Sequence, residues 1–325
     1  MSNLLSDHRH VVAVVVTRNR KQLLCRCLQG IVSQTHSVDS VIVLDNASSD
    51  GSKEFVRCQG LFQRLNLIWV RLSENTGGAG GFHAGMEAAL ELFEHKRSLK
   101  DGTPDEQKRN YLWLMDDDGF PHPECLAKLL SEMRADVFLG PLVLSDTDSD
   151  ELAFPFRMPG TLHNIERIDD DQLLGARMVD SVLIPFNGVL ISEFTVRKFG
   201  LPRKEMFIWG DDIEYTWRLQ ARGIHVATVV SSHFYHPKSN SVGTPMFFSR
   251  MRFNDTDLPV KLYCLARNGF WNYRTYKGVS KAMLFAAKAA WFYLFTKPNV
   301  SKFLIVARGI VDGFLCDFTR HNRYY

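Results

Sequence analysis

The sequence lacks the features that mark several common classes of protein. Its six cysteines are scattered over 325 residues without a C-x-x-C pair, which argues against a zinc knuckle or a disulfide framework and favours a reducing, cytoplasmic setting. The first ten residues, MSNLLSDHRH, contain no apolar run of the kind found in secretory signals. Internal repeats and low-complexity tracts are also missing. With 45% hydrophobic and 23% charged residues, the composition is ordinary for a soluble globular enzyme.

Charge is distributed unevenly along the chain. Residues 261–325 contain 11 Lys/Arg against 2 Asp/Glu, whereas residues 1–260 contain 28 against 34. The apolar stretch within 280–297 spans only about 15 residues around Lys288, and a membrane-spanning helix needs roughly 20. We therefore predict a catalytic domain over 1–260. The basic, apolar helical extension over 261–325 is expected either to pack on this domain or to lie in a membrane interface.

Buried strands alternate with helices in the first part of the chain. Strands are predicted at 11–16, 40–45, 65–72 and 111–115, and VVAVVV at 11–16 has the β-branched run of a strand buried on both faces. This β-α-β-α order predicts an α/β fold with a mostly parallel, Rossmann-like sheet between helices. Further strands are predicted within 181–192 and 224–230, while 145–180 has no regular pattern.

Polar or glycine-rich loops follow all four of the first strands. The loops are TRNR, DNASSD, ENTGGAGG and DDDG, in chain order. In open α/β sheets, ligands bind at the carboxyl ends of the strands. This concentration therefore predicts a ligand site at one edge of the sheet.

Three adjacent aspartates follow the fourth strand. On a strand end, Asp116 and Asp118 would point to one side and Asp117 to the other. Convergent carboxylates suit Mg²⁺ or Mn²⁺, with a substrate's phosphates completing the shell. The alternative is a capped turn with solvated acids. A histidine just past the strand at 224–230 is a candidate third ligand, and His236 is preferred over His233.

Two further motifs have chemical interpretations. Glycines in NTGGAGGFHAG allow close backbone approach to a ligand at a helix N-terminus, although the loop has no Walker lysine and a flexible turn is the alternative. In WGDDIEY, one of Asp211 and Asp212 can cap a helix. The other can act as a general base, with a pKa raised by apolar neighbours.

Taken together, these motifs resemble those of the inverting family 2 glycosyltransferases with a GT-A fold. The resemblance covers roughly residues 10–275 and includes VVTRNR, VLDNASSDGS, DDD and WGDDIEYTWR. NTGGAGGF, the late histidine and LARNGFWNYRTY resemble the galactofuranosyltransferase branch, which uses UDP-galactofuranose. Rhamnosyltransferases share the scheme, usually with a less glycine-rich third loop.

The resemblance implies roles for individual residues. It implies nucleotide binding by Thr17, Arg18, Asn19, Arg20, Asp45, Asn46, Ser48, Asn75, Gly77, Gly78 and Asp116. It implies a divalent cation, Mn²⁺ or Mg²⁺, at Asp116, Asp118 and His236, and sugar contacts from Asp117, Trp209 and Gly210. Asp212 is implied as the catalytic base ahead of Asp211. Many family members have an aromatic residue at the position of Arg18, so this chain departs from the pattern there.

The reaction implied is a single displacement from a UDP-sugar to a glycan or lipid-linked glycan, at the cytoplasmic face of the inner membrane, in bacterial cell-surface polysaccharide (O-antigen) synthesis. A nucleotidyltransferase is the rival enzyme class, but its first loop is usually glycine-rich and TRNRKQ has no glycine. A non-catalytic glycan- or nucleic-acid-binding module would explain the basic C-terminal segment. It would not explain the acidic clusters, which repel phosphate backbones, so nucleic acid is not an expected partner.

Overall fold

A computed structural model describes residues 9–98, 109–238, 243–246 and 251–325. The chain divides by its contacts into two compact units. The first unit comprises 1–75, 81–201 and 222–238, and the second comprises 76–80, 202–221 and 239–325. The predicted domain boundary at 260 stays a prediction. The expectation of no secretory signal falls mainly on residues 1–8, which lie outside the described residues.

The first unit contains a mixed sheet with flanking helices. Its strands are β1 (His10–Thr17), β2 (Ser40–Asp45), β3 (Leu67–Arg71), β4 (Asn110–Asp116), β5 (Phe120–Pro121), β6 (Val137–Ser145), β7 (Glu151–Arg157), β8 (Asn164–Arg167), β9 (Met178–Asp180), β10 (Asn187–Ser192) and β11 (His225–His236). Its helices are α1 (Lys21–Val32), α2 (Ser52–Cys58), α3 (Leu61–Arg64), most of α4 (Gly77–Ser98), α5 (Cys125–Glu132) and α6 (Glu193–Phe199).

The sheet has the order β3-β2-β1-β4-β10-β6-β11-β5. The first four strands of the chain are parallel neighbours, β10 runs antiparallel between β4 and β6, and β11 is parallel to β6. The carboxyl ends of β1 to β4 therefore meet at one edge, as predicted.

Burial on both faces explains the central strands. Every residue from Val11 to Val15 is fully buried, as is Trp113, whose indole N–H donates to the carbonyl of Gly188 at 2.9 Å. Two glycines of α4 let this helix pack closely on β1. A Cβ on Gly81 or Gly85 would lie 2.6 Å from a methyl carbon of Val16 or Val14, respectively. These two glycines thus have a packing role in addition to the loop role predicted from the sequence.

The structure corrects the sequence-based prediction in two places. The segment predicted to be less regular contains the short strands β7, β8 and β9. β7 pairs with β6 and with β8, and β9 pairs with β11, so none of them is a buried run with a recognisable period. β11 extends to His236, beyond the predicted strand end at residue 230, so His233 and His236 lie in the strand and not past it. The pairing register of β11 with β6 shifts between Val229 and His233, a local irregularity that periodicity cannot predict.

The second unit is mainly helical. It contains α7 (Asp211–Ala221), α8 (Pro259–Asn272), α9 (Val279–Trp291) and α10 (Val300–Leu315), with a small hairpin of β12 (Thr244–Met246) and β13 (Met251–Phe253). A Cβ on Gly313 of α10 would lie 2.4 Å from the carbonyl oxygen of Arg267, so α10 packs directly on the backbone of α8. The predicted helical C-terminal extension is confirmed. Across the described residues, no helix is both long enough and apolar enough to cross a membrane.

Candidate active site

The acidic motif begins at the last residue of β4 and continues into a turn. The backbone N–H of Asp116 donates to the carbonyl of Phe186 at 2.9 Å, and Asp117 and Asp118 follow in the turn. The alternation of side chains along the strand therefore stops at Asp116. The prediction that neighbouring aspartate side chains point to opposite sides depended on that alternation. The contacts of each carboxylate distinguish their roles instead.

Asp117 is buried and bound by residues at the end of β1 and just after it. Its carboxylate accepts hydrogen bonds from Thr17 Oγ1 at 2.6 Å and from Arg20 Nη1 at 3.1 Å. Burial raises the pKa of Asp117 to about 6, although the Thr17 bond and the Arg20 charge oppose this shift. Asp117 thus links β4 to the first loop, and its predicted contact with the sugar stays a prediction.

Asp118 lies between an arginine and a histidine. Arg20 Nη1 donates to Asp118 Oδ2 at 2.7 Å, and His236 Nε2 lies 3.2 Å from Asp118 Oδ1. Burial alone would raise the pKa of Asp118, but His236 and Arg20 outweigh it and the pKa is lowered. Burial alone would lower the pKa of His236, but the Asp118 carboxylate outweighs it and the pKa is raised.

The Asp118–His236 pair has the donor atoms of a divalent-cation site. His236 Nδ1 lies 2.8 Å from the carbonyl oxygen of Pro237, a contact that orients the ring and leaves Nε2 facing Asp118. Asp118 Oδ1 is buried, yet no described residue gives it a hydrogen bond of good geometry, the nearby imidazole included. The carboxylate oxygen suits Mn²⁺ or Mg²⁺, whereas the imidazole nitrogen suits a transition-metal ion such as Mn²⁺ better than Mg²⁺, which prefers oxygen ligands.

Asp116 is the third predicted metal ligand. In the part of the chain that the structure describes, no group of three or more His, Cys, Asp or Glu side chains is arranged to hold a metal ion. The metal and nucleotide roles of Asp116 therefore stay predictions. Proteins usually supply only one or two ligands to Mg²⁺, and water and substrate phosphates complete its coordination shell.

The loops after β1 and β2 are joined by hydrogen bonds. Asp45 is buried and accepts from the backbone N–H of Ser48 at 2.7 Å, and Ser48 Oγ accepts from the backbone N–H of Asn19 at 3.0 Å. The backbone N–H of Asn46 donates to the carbonyl of Thr17 at 2.9 Å. The structure therefore brings these predicted nucleotide-binding residues together on two neighbouring loops.

Arg71 lies beside two predicted nucleotide-binding residues and was not itself predicted. Its Nη2 donates to the carbonyl of Ser48 at 2.8 Å, and its Nε lies 4.0 Å from Asp45 Oδ2. One feature of the sequence could have indicated Arg71. It is a cation at the end of a predicted strand, and the other predicted strands nearby are followed by polar loops. Arg18, which was predicted for the nucleotide site, is exposed to solvent.

The first glycines of α4, in the second unit, differ in their surroundings. A Cβ on Gly77 would lie 2.0 Å from the carbonyl oxygen of Phe207, so Gly77 is needed for a close backbone contact within the protein. A Cβ on Gly78 would meet no atom within 4 Å. Gly78 therefore has room for a ligand, and the nucleotide roles of Asn75, Gly77 and Gly78 stay predictions.

Asp211 and Asp212 begin α7 in the second unit. Asp211 is buried, whereas Asp212 is partly exposed and its Oδ1 accepts from the backbone N–H of Ile213 at 2.7 Å. Burial raises the pKa of both carboxyls, and repulsion by Asp212 adds to the shift at Asp211. A carboxylate with a raised pKa can accept a proton, and the preference for Asp212 over Asp211 as the base stays a prediction.

Trp209 and Gly210 precede this helix in left-handed backbone conformations, with φ of +58° and +95°. Lys261 Nζ lies 5.4 Å from the centroid of the Trp209 indole ring. The predicted sugar contacts of Trp209 and Gly210 stay predictions.

Known proteins resemble this chain in sequence. The model of the family described as glycosyl transferase family 2 matches residues 12–182. The galactofuranosyltransferase GlfT1 of Mycolicibacterium smegmatis is 30% identical over 267 residues, which cover 80% of this chain and 82% of that protein.

Solved structures resemble the chain in fold. S. aureus TarS 1–349 in complex with UDP-GlcNAc has a TM-score of 0.52 at 13% identity, covering 97% of this chain and 83% of that one. The mannosyltransferase PcManGT from Pyrobaculum calidifontis, in complex with GDP-Man and Mn²⁺, has a TM-score of 0.52 at 14% identity, covering 95% and 87%. These likenesses confirm the predicted GT-A fold.

We expect Asp118→Asn and His236→Gln each to weaken Mn²⁺ binding in the presence of UDP by about tenfold or more, because the first removes the negative charge of the carboxylate and the second removes the imidazole nitrogen. Electron paramagnetic resonance of free Mn²⁺ measures the affinity directly. His225→Gln is the matched control, since exposed His225 Nε2 lies 2.9 Å from Asp180 Oδ1 in the same unit. Mn²⁺ affinity that is unchanged in both variants would contradict the assignment of this pair.

Proposed function

Because the chain belongs to glycosyl transferase family 2, we propose that it transfers galactofuranose from UDP-galactofuranose to a hydroxyl group of a glycan or lipid-linked glycan. The observation that carries the choice of sugar is the 30% identity to a galactofuranosyltransferase over 80% of the chain. Synthesis of a bacterial cell-surface polysaccharide such as O-antigen is the proposed setting.

The first unit supplies the groups proposed to bind the donor. Asp118 and His236 would hold Mn²⁺ or Mg²⁺, which when bound offsets charge on the diphosphate leaving group. Arg20 contacts Asp117 and Asp118, and its exposed guanidinium is proposed to bind phosphate oxygens beside them. Asp45, with Arg71 beside it, is proposed to bind the uracil end of the donor.

Asp212 is proposed to act as the general base. As the acceptor hydroxyl oxygen forms a bond to the anomeric carbon, the hydroxyl proton passes to the Asp212 carboxylate. The bond between the anomeric carbon and the diphosphate oxygen breaks, and UDP leaves with the electron pair. Attack from the face opposite to UDP inverts the anomeric configuration.

We expect Asp212→Asn to lower the rate of transfer by about a thousandfold or more, because the amide cannot accept the proton. Calorimetric titration should show UDP and Mn²⁺ affinities within about twofold of the wild type, since the proposed donor-binding residues are unchanged. Asp257→Asn is the control, because Asp257 is an exposed acid of the same unit. Substantial sugar transfer by Asp212→Asn would contradict the assignment of Asp212 as the base.

The outer faces of α9 and α10 support a second part of the proposal, peripheral association with an anionic membrane. Among the described residues, eleven of the sixteen large exposed apolar side chains lie within 279–315. On α10, Val300, Leu304, Val311 and Leu315 follow a helical spacing and are 46–74% exposed. An exposed apolar stripe of this kind marks an interaction surface rather than ordinary solvent-facing sequence.

Positive charge favours a lipid surface as the partner of this stripe. Residues 261–325 carry 11 Lys/Arg against 2 Asp/Glu. Arg267 is fully buried, and each of the other cations that lies near an anionic bilayer contributes about 1 kcal/mol. Lys281 is exposed beside the apolar residues Val279 and Met283. We therefore propose that the enzyme works at the cytoplasmic face of the inner membrane, where a lipid-linked acceptor is accessible.

We expect the full-length protein to float with phosphatidylglycerol-containing vesicles. The double variant Leu304→Ser/Val311→Ser should lower the bound fraction by about tenfold, because it removes apolar surface that inserts between headgroups. The matched control is Leu162→Ser/Leu174→Ser, which removes two exposed leucines from the first unit. Equal vesicle binding by both double variants would contradict the proposal that this stripe binds membranes. If the wild type is a dimer and only Leu304→Ser/Val311→Ser abolishes it, the stripe is a self-association surface instead.

A further inference from the structure

A strained loop precedes the proposed base. Between the single turn at Lys204–Met206 and the start of α7, Phe207, Trp209 and Gly210 all have positive φ, at +66°, +58° and +95°. For the two aromatic residues this conformation is unfavourable, because a side chain with a Cβ crowds the backbone there. A segment of this kind keeps one conformation only where its surroundings hold it.

Side chains of α8 supply the contacts that hold this loop. Arg267 Nη2 donates to the carbonyl of Met206 at 2.8 Å, and Asn268 Nδ2 lies 3.0, 3.1 and 2.7 Å from the carbonyl oxygens of Met206, Ile208 and Trp209. These carbonyls belong to a segment without a regular hydrogen-bonding pattern of its own. Asn268 therefore takes the place of a neighbouring strand or helical turn.

A further hydrogen bond from α8 is made to the residue just before α7. Asn272 Nδ2 donates to the carbonyl of Gly210 at 2.7 Å, and the same carbonyl accepts from the backbone N–H of Glu214 at 2.9 Å. Gly210 is the residue immediately before Asp211 and Asp212. The amide of Asn272 thus fixes the point from which both carboxylates emerge.

Burial makes this arrangement rigid. Arg267 and Asn268 are fully buried and Asn272 is 2% exposed. The Arg267 guanidinium donates to the carbonyl of Phe318 at 3.2 Å, and its Nε donates to Asn268 Oδ1 at 2.9 Å, which orients the asparagine. On the other side of the loop, the backbone N–H of Ala79 donates to the carbonyl of Phe207 at 3.0 Å.

From these contacts we infer that Arg267, Asn268 and Asn272 are positioning residues for the transfer reaction. They hold the loop 206–210 in its strained conformation and thereby set the location of the Asp212 carboxylate. The inference depends on the proposed role of Asp212. A small displacement of a base costs rate far more than it costs stability, because proton transfer depends steeply on distance.

The test compares Asn272→Ala with Tyr293→Phe in the full-length enzyme. Tyr293 is 1% exposed and its hydroxyl donates to Asp255 Oδ1 at 2.8 Å, so its variant also removes one hydrogen bond of a largely buried side chain in the same unit. We expect Asn272→Ala to lower kcat by about tenfold or more with KM for the donor within about twofold. Tyr293→Phe should change neither by more than about twofold, at a comparable loss in melting temperature.

Asn268→Ala extends the test, because it removes contacts to three carbonyls and should lower kcat further than Asn272→Ala. If Asn268→Ala fails to fold, the result for Asn272→Ala is sufficient for the test. In Asn272→Ala the carbonyl of Gly210 still accepts a hydrogen bond from the backbone N–H of Glu214. A kcat like that of Tyr293→Phe, or a parallel loss of UDP affinity, would overturn the inference. Asp212→Asn separates the two proposals: if it keeps full activity while Asn272→Ala does not, the base is wrong and the loop positions another group.

Discussion

Neutralisation of the carboxylates after β4 is the constraint on which the first unit's site depends. Two adjacent acids with little access to water repel each other unless cations and donors offset their charge. Arg20 binds both Asp117 and Asp118, while Thr17 and His236 contact the remaining oxygens. Because Thr17 ends β1 and Arg20 precedes α1, satisfying these acids also fixes the first loop.

A different constraint governs the second unit. Its proposed base follows a backbone segment that no regular secondary structure supports, and the supporting donors come from buried side chains of α8. α8 is itself held by α10, because Gly309 and Gly313 allow the two helices to pack in backbone contact. The C-terminal helices therefore have a structural connection to the residue proposed as the base.

The sequence predicted what depends on local pattern and missed what depends on tertiary context. The run from Val11 to Val16 predicts a buried strand because burial on both faces requires continuous apolar residues, and β1 confirms it. The short strands within 145–180 have no such signature, since their pairing is decided by neighbours in the sheet. Similarly, Gly81 was assigned to a ligand loop, whereas its described contact is with β1. Arg71 was not predicted, and Asn268 was noted only within LARNGFWNYRTY and without a role, because their partners are backbone carbonyls distant in sequence.

Donor choice tests the proposed reaction most directly. The measurement is nucleoside diphosphate release by the purified full-length enzyme with Mn²⁺, comparing UDP-galactofuranose with UDP-galactose, UDP-glucose and dTDP-rhamnose at equal concentration. Transfer of galactofuranose predicts that release from UDP-galactofuranose is faster than from each competitor by about a hundredfold, since a site that hydrogen-bonds its sugar discriminates strongly. Equal or faster release from dTDP-rhamnose or from a pyranose donor would contradict the assignment of the sugar.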